Sequence, residues 1–345
     1  YNIAEKQYTK FISTFGNINM YASYLSISIP VLLAVFAFCK NWFSRILSGI
    51  LLIAAGCNIL IANSDSVFLG ILAGVVVVTV LAFMQSRLKY SSFAVFLLFV
   101  GNLVLGFINR YGHTRYDKKR GGLAIALNRL DIAFALCGAA LLIFVAVCIC
   151  NWKLGEKVAA WNKKKIVLIV CGACVALGVI GMIALKVMDP SLFTFNDKWG
   201  SYRGYIWRKI VEVYGDAPFV NKLFGYGNES VRVTLKAACY DEMVQVTGKV
   251  YDNAHNELLQ YLFTTGIIGL LSYLALVGSS IVYMFRHAHE NAWICVCLAA
   301  TTGYFAQSIL NLNQPITTPL FFVFMAMGVG TVNYCRRVKE LEKIA

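Results

Sequence analysis

Apolar stretches of about 17 to 25 residues recur along nearly the whole chain, and that is the length needed to cross a bilayer core. In hydrocarbon every backbone N–H and C=O has to be satisfied inside the protein, so such stretches fold as helices. They are read at 21–39, 43–62, 66–84, 90–108, 131–150, 166–185, 262–285, 292–310 and 317–335. Composition agrees, with 59% hydrophobic and only 14% charged residues where a globular protein carries about a quarter charged. The expected fold class is an all-α integral membrane protein, a polytopic helical bundle. Residues 1–185 would hold the N-terminal spans, 186–261 a large hydrophilic loop, and 262–345 the C-terminal spans. The chain starts at Tyr1 with nothing like a signal peptide ahead of the first span, so earlier spans are expected to precede it.

The net charge of +14 is a membrane signal rather than a nucleic-acid one, because the basic residues cluster in connections between spans. If the spans alternate, Lys40, Arg45, Arg87, Lys89, Lys153, Lys157, Lys163, Lys164, Lys165, Arg286, Arg336, Arg337, Lys339 and Lys343 share one side, which should be cytoplasmic. The 186–261 loop then lies outside, since long loops translocate largely regardless of charge. One connection departs from this pattern. Arg110, Arg115, Lys118, Lys119, Arg120 and Arg129 fall on the outer side, so either the count is off by one span or these charges bind an anion, a lipid headgroup included.

Eleven cysteines do not make a disulfide framework, because nearly all lie in or beside spans and only Cys239 falls clearly in the hydrophilic segment. Cys171 and Cys174 have CxxC spacing inside an apolar helix and read as helix packing. His287 and His289 sit in a short loop that supplies no further ligands, so neither a metal nor a cofactor is expected.

Loops as long as 186–261 are usually functional. From Arg203 to Tyr214, Ile206, Trp207, Ile210, Val211, Val213 and Tyr214 recur at helical spacing, with Ser201 as a candidate N-cap and Gly215 to Pro218 as a stop. This reads as an amphipathic helix lying on the membrane. Arg203 falls in its first turn, where the helix dipole does not favour a cation; either an anion compensates or the arginine snorkels to the interface. Gly225 and Gly227 mark a turn at which backbone can approach a ligand closely. Next comes Asp252-Asn253-Ala254-His255-Asn256-Glu257, which places His255 where a membrane helix begins. A helix start keeps an imidazole neutral and can hold a phosphate beside it; the plainer reading is an interfacial residue near a cap. Asn256 and Gln260 are four residues apart, so on one helix they share a face. Asp65, at a span boundary, is either an acceptor-binding carboxylate or a helix cap.

Several of these segments occur in an order that resembles the O-antigen ligase and polysaccharide polymerase family of bacterial membrane glycosyltransferases. Gly16-Asn17-Ile18-Asn19 is similar to that family's Gly-Asn-x-Asn segment, Arg203-Gly204-Tyr205-Ile206-Trp207 to its arginine and tryptophan motif, and Leu223 to Gly227 to its glycine turn. His255-Asn256 with Leu259-Gln260 and the Gly266 to Leu271 run completes the series. Ala62-Asn63-Ser64-Asp65-Ser66 departs from it, standing where many members carry a serine-arginine pair. The resemblance implies a GT-C-like bundle in the bacterial cytoplasmic membrane with its active site facing outside. It implies metal-independent transfer of glycan from an undecaprenyl diphosphate-linked donor to a hydroxyl of a glycan or lipid acceptor. Arg203 would then stabilise the leaving diphosphate and His255 would act as base or diphosphate donor. Asn256, Gln260, Gly225, Gly227, Asp65, Arg110 and Arg115 would contact substrate. A transporter or flippase of lipid-linked glycans is the alternative, but the near absence of charge within the spans favours an enzyme at one membrane face. A peptidoglycan polymerase of the shape, elongation, division and sporulation class fits the Arg203, glycine and His255 series less well.

Overall fold

The computed structural model describes residues 15–62, 64–111, 129–159, 161–163, 165–167, 169, 196–311 and 314–344. It is all-helical among those residues. The helices are α1 (Ile18–Phe38), α2 (Trp42–Ala62), α3 (Asp65–Met84), α4 (Leu88–Tyr111), α5 (Leu130–Ala159), α6 (Trp199–Gly215), α7 (Phe219–Phe224), α8 (Ser230–Thr247), α9 (Glu257–His287), α10 (Ala292–Ser308) and α11 (Thr318–Ile344). Seven of the described helices, α1 to α5, α9 and α11, are long and apolar enough to cross a membrane.

The described residues fall in two compact units. One lies within Tyr1–Trp161, Ser279–Gln307 and Asn313–Ala345, the other within Asn162–Gly278 and Ser308–Leu312. In the first unit α1 is the central helix. The Asn17 side chain caps it by accepting the Asn19 N–H at 2.7 Å, and Ile29, Leu33, Ala34 and Ala37 are fully buried along it. Without bulky side chains between them, the neighbouring helices approach backbone to backbone. A Cβ on Gly56 of α2 would run into the Leu98 carbonyl of α4, and one on Gly101 of α4 into the Ile53 carbonyl of α2. Pro30 of α1 has no N–H for the Ser26 carbonyl; Gly303 of α10 packs against that carbonyl and Gly74 of α3 against the proline ring.

Seven of the nine expected spans are among these helices. The one read at 166–185 lies mostly outside the described residues. The one read at 292–310 becomes α10, whose 17 residues reach about 25 Å, less than a bilayer core. Ile294, Cys295, Val296, Cys297, Ala299, Ala300, Thr301 and Tyr304 of α10 are fully buried in its own unit. Over most of its length α10 packs against protein.

The basic end expected from charge alternation exists in this unit. The carbonyls at the C-terminus of α1 are capped by arginines: Arg45 donates to Phe36 O at 3.2 Å and Cys39 O at 2.7 Å, and Arg87 to Phe38 O at 3.0 Å. The same end holds the α9–α10 turn, where Gln85 donates to Ala288 O at 3.1 Å and Lys339 pairs with Glu290 at 2.8 Å. From there α4 runs 24 residues to its other end, where Arg110 lies in the last turn. The α1 to α5 series therefore alternates as counted, and the basic 110–129 connection leaves from the end opposite the basic one.

Candidate active site

The second unit is built around a small core of Tyr205, Ile206 and Ile210 from α6, Val231, Leu235 and Met243 from α8, Tyr251 and Ala254 from the following loop, and Phe263 from α9. The sequence assigned the apolar face of α6 to the membrane surface; that face is instead covered by this core. Its polar side is fixed by charge. Arg208 holds Asp197 through two hydrogen bonds, 3.1 and 2.8 Å, and Glu212 at 2.9 Å, while Lys209 bridges Glu212 at 3.0 Å and Glu242 of α8 at 2.8 Å. This network holds the chain entering α6, and α8 as well, against α6.

Arg203 stands at the start of the right-handed part of α6. The three residues before it, Gly200, Ser201 and Tyr202, all have positive φ, 57°, 60° and 71°. Such a turn costs about 1–2 kcal/mol for each residue that carries a Cβ, so surrounding contacts have to impose it. Tyr251 does so in part by donating its hydroxyl to Ser201 O at 2.9 Å. Ser201 thus serves through its backbone and not as the expected side-chain cap. Gly200 packs directly under the Arg203 side chain, where an added Cβ would lie 3.3 to 3.6 Å from the arginine's Cβ, Cγ and Cδ.

One turn further along α6, Trp207 donates its indole N–H to Ala254 O at 2.8 Å. The pair Tyr251–Ser201 and Trp207–Ala254 therefore clasps the 251–255 loop to α6 on both sides of Arg203, and it brings His255 within range of the Arg203 charge. His255 has φ +47°, a left-handed conformation uncommon for a residue with a side chain, and its N–H donates to Asn253 Oδ1 at 3.2 Å. The ring meets Tyr251 edge-on at 5.9 Å, and its Nδ1 is buried with no hydrogen-bond partner.

Burial, and after it the Arg203 and Lys249 charges, push the His255 pKa down from 6.5 to about 4, with Asp252 opposing. The imidazole is therefore neutral at physiological pH. Between about 6.5 and 4 the unfolded chain binds the proton and the folded one does not, so this contribution to stability is complete above 6.5 and fades as pH falls toward 4. Thermal unfolding of the detergent-solubilised protein should show a Tm that declines on acidification through that window, and His255→Gln should flatten the decline. An identical slope in the variant would assign it to other groups.

α9 begins immediately after this loop. Asn256 caps it, accepting the Leu259 N–H on Oδ1 at 3.0 Å, and Gln260 reaches back to accept the Ala254 N–H on Oε1 at 2.9 Å. Both amide oxygens, expected to orient substrate, are committed to backbone, Asn256 to the first turn of α9 and Gln260 to the His255 loop. The side-chain NH2 groups are what these residues can offer a phosphate or sugar oxygen. Glu257, which sequence reasoning missed, is fully buried on the first turn, where the Ser308 and Tyr273 hydroxyls face its carboxylate. Its position straight after His255-Asn256 in an apolar run was the available signal.

The glycine turn has a structural role at Gly225. In α9, Gly266 adopts φ 68° and ψ −173°, which breaks the helix and frees the Phe263 and Thr264 carbonyls. Tyr226 N–H donates to Phe263 O and Gly227 N–H to Thr264 O, both at 2.9 Å. A Cβ at Gly225 would collide with the Thr264 backbone, and one at Gly266 with the Leu223 backbone. The close approach expected of a ligand at Gly225 is thus taken by α9. Gly227 (φ 95°) has nothing within 4 Å of its added Cβ position.

The remaining candidates belong to the first unit. Asp65 opens α3. Arg110 is exposed at the end of α4, in a groove with Gly106, Asn109 and Phe134, where Arg129 is already paired with Asp131 at 2.7 Å. Arg115 lies outside the described residues.

Compared with known proteins, residues 121–274 match the O-antigen ligase family model. The matched stretch includes Arg203, Gly225, Gly227, His255, Asn256 and Gln260, and it leaves out Gly16 to Asn19, Asp65 and Arg110. No curated protein matches the chain. An arginine and a neutral histidine clasped at the head of a membrane helix thus fall inside the matched region, and the chain is a multi-pass membrane protein whose residues 121–274 are similar to the O-antigen ligase family.

Proposed function

We propose that this protein is a membrane glycosyltransferase that moves glycan from an undecaprenyl diphosphate carrier to an acceptor hydroxyl at the outer face of the cytoplasmic membrane. The family match supports the ligase or polymerase type of chemistry. The observation that carries the reading is the clasp that holds an uncharged imidazole with an unpaired, buried Nδ1 within range of the Arg203 charge. In the proposed step the acceptor oxygen attacks the anomeric carbon, the bond from that carbon to the diphosphate oxygen breaks, and its electron pair leaves with the diphosphate. Arg203 takes up the growing negative charge through two parallel hydrogen bonds, and His255 accepts the hydroxyl proton. A pKa near 4 makes the free imidazole a weak base. A diphosphate bound at Arg203 would offset one of the cationic charges that lower it, so donor binding and base strength rise together. The Asn256 and Gln260 amide N–H groups and the turn at Gly227 would complete the substrate contacts, with Asp65, Arg110 and Arg115 as acceptor or lipid-headgroup contacts.

Sidedness is tested by labelling single cysteines in a background cleared of reactive ones. Asn228→Cys should react with an impermeant reagent from outside and Asn162→Cys only after permeabilisation. The reverse pattern would overturn the orientation.

A further inference from the structure

The short helix α7 is turned inside out for a water-facing element. Its polar residues Asn221 and Lys222 are half-buried: Asn221 donates to Gly225 O at 3.1 Å and the Lys222 carbonyl accepts the Tyr214 hydroxyl at 2.6 Å. Its large apolar side chains point outward, with Phe219 73%, Val220 65% and Phe224 62% exposed. Residues 219, 220 and 224 are spaced to form one helix face, and a contiguous exposed face of this kind needs an apolar covering.

What α7 leans on indicates the covering. The turn that ends it is bonded to α9 at Phe263 and Thr264, and the Leu223 and Phe224 backbone lies against Gly266. Just beyond that kink the outward side chains of α9, Ile268 and Leu271, are 46% and 57% exposed. From Ile267 to His287 the helix has about 20 residues, or roughly 30 Å, which matches a hydrocarbon core, and Arg286 and His287 close its far end. The kink at Gly266 therefore falls where hydrocarbon gives way to headgroups, and α7 lies at that level.

We propose that α7 is immersed in the acyl boundary of the bilayer, where Phe219, Val220 and Phe224 continue the lipid-facing side of α9 from Ile268 and Leu271. Interfacial helices of this kind bury their apolar face about 5–10 Å into the boundary. The consequence is a fixed depth for the site. His255 precedes Gly266 by roughly three helical turns, about 15 Å, on the headgroup side. An isoprenoid chain could then stay in lipid beside α7 while its diphosphate reaches Arg203. That bearing on a carrier-linked donor rests on the reaction proposed above; the immersion itself does not.

The test is site-directed spin labelling in lipid bilayers, with labels placed singly at 219, 220 and 224 and compared with Leu271→Cys as the lipid reference and Asn228→Cys as the aqueous one. Immersion predicts that all three α7 labels collide with oxygen far more than with a water-soluble nickel chelate, as at 271. A pattern like that at 228 would overturn the proposal. Phe219→Trp, a gentler replacement, should be quenched several-fold more by brominated acyl chains than by aqueous acrylamide, and the opposite order would equally overturn it. Neither readout involves glycan transfer, so a failed transfer assay alongside lipid-like labels would remove the proposed reaction and leave the immersion standing.

Discussion

His255→Asn protein should insert, fold and accumulate like the wild type while transferring glycan about a hundredfold more slowly or worse, the loss expected when a positioned acid or base is removed. Asparagine is the informative replacement because position 255 has φ +47°, and asparagine tolerates the left-handed region better than most side chains. His255→Ala should show the same loss of transfer with an added structural cost of about 1 kcal/mol from that backbone. If the histidine merely filled space near the α9 cap, His255→Asn would transfer at a near-normal rate. Activity measured at equal amounts of inserted protein separates the two cases. The Gln260 side chain holds the loop from the α9 side at Ala254, so its conformation does not depend on the imidazole alone.

The second large effect is expected at Arg203. Arg203→Lys should fail nearly as badly as Arg203→Ala, because an ammonium keeps the charge but lacks the planar fork that meets two phosphate oxygens at once. Losing one preorganised donor to a developing oxyanion commonly costs about 100- to 1000-fold in rate. The arginine is also held from below: its side chain lies over Gly200 in a left-handed turn, so a flexible lysine would lose both the fork and part of that support. Comparable rates for Arg203→Lys and wild type would reduce the residue to a point charge. Full activity of Arg203→Ala would remove it from the mechanism.

How much of this was legible in the sequence depends on whether the physics is local. Span length and hydropathy alone locate α1 to α5, α9 and α11, because crossing hydrocarbon demands a long, uncharged helix. The same signal does not say what covers α10. A helix buried on all sides in protein and a helix bathed in lipid are equally apolar, and only packing partners such as Pro30 and Gly70 tell them apart. At the site, Arg203 and His255 stand out as chemistry-bearing residues at helix starts. What joins them was not readable, since Tyr251 and Ser201 are 50 residues apart and Trp207 and Ala254 are 47. Nor do Ser201 and Tyr202 announce a left-handed turn, because neither residue type favours one. Asn256 caps α9 and Gln260 sits on its first turn, and their oxygens go to backbone, Leu259 N–H for Asn256 and Ala254 N–H for Gln260, a choice fixed by unpaired backbone N–H groups and not by spacing. Gly225 signalled a close approach; its partner, the broken helix at Gly266, lies some 40 residues further on.

Transfer by the purified protein in a lipid bilayer tests the central claim most directly, with a glycan on a polyprenyl diphosphate carrier and an acceptor hydroxyl as the only additions. The account predicts that joined glycan and free carrier diphosphate appear in equal amounts, that a chelator leaves the rate unchanged, and that His255→Asn abolishes both products together. Movement of the loaded carrier across the bilayer with no joined glycan, from protein that is folded and inserted, would contradict it and make the chain a transporter.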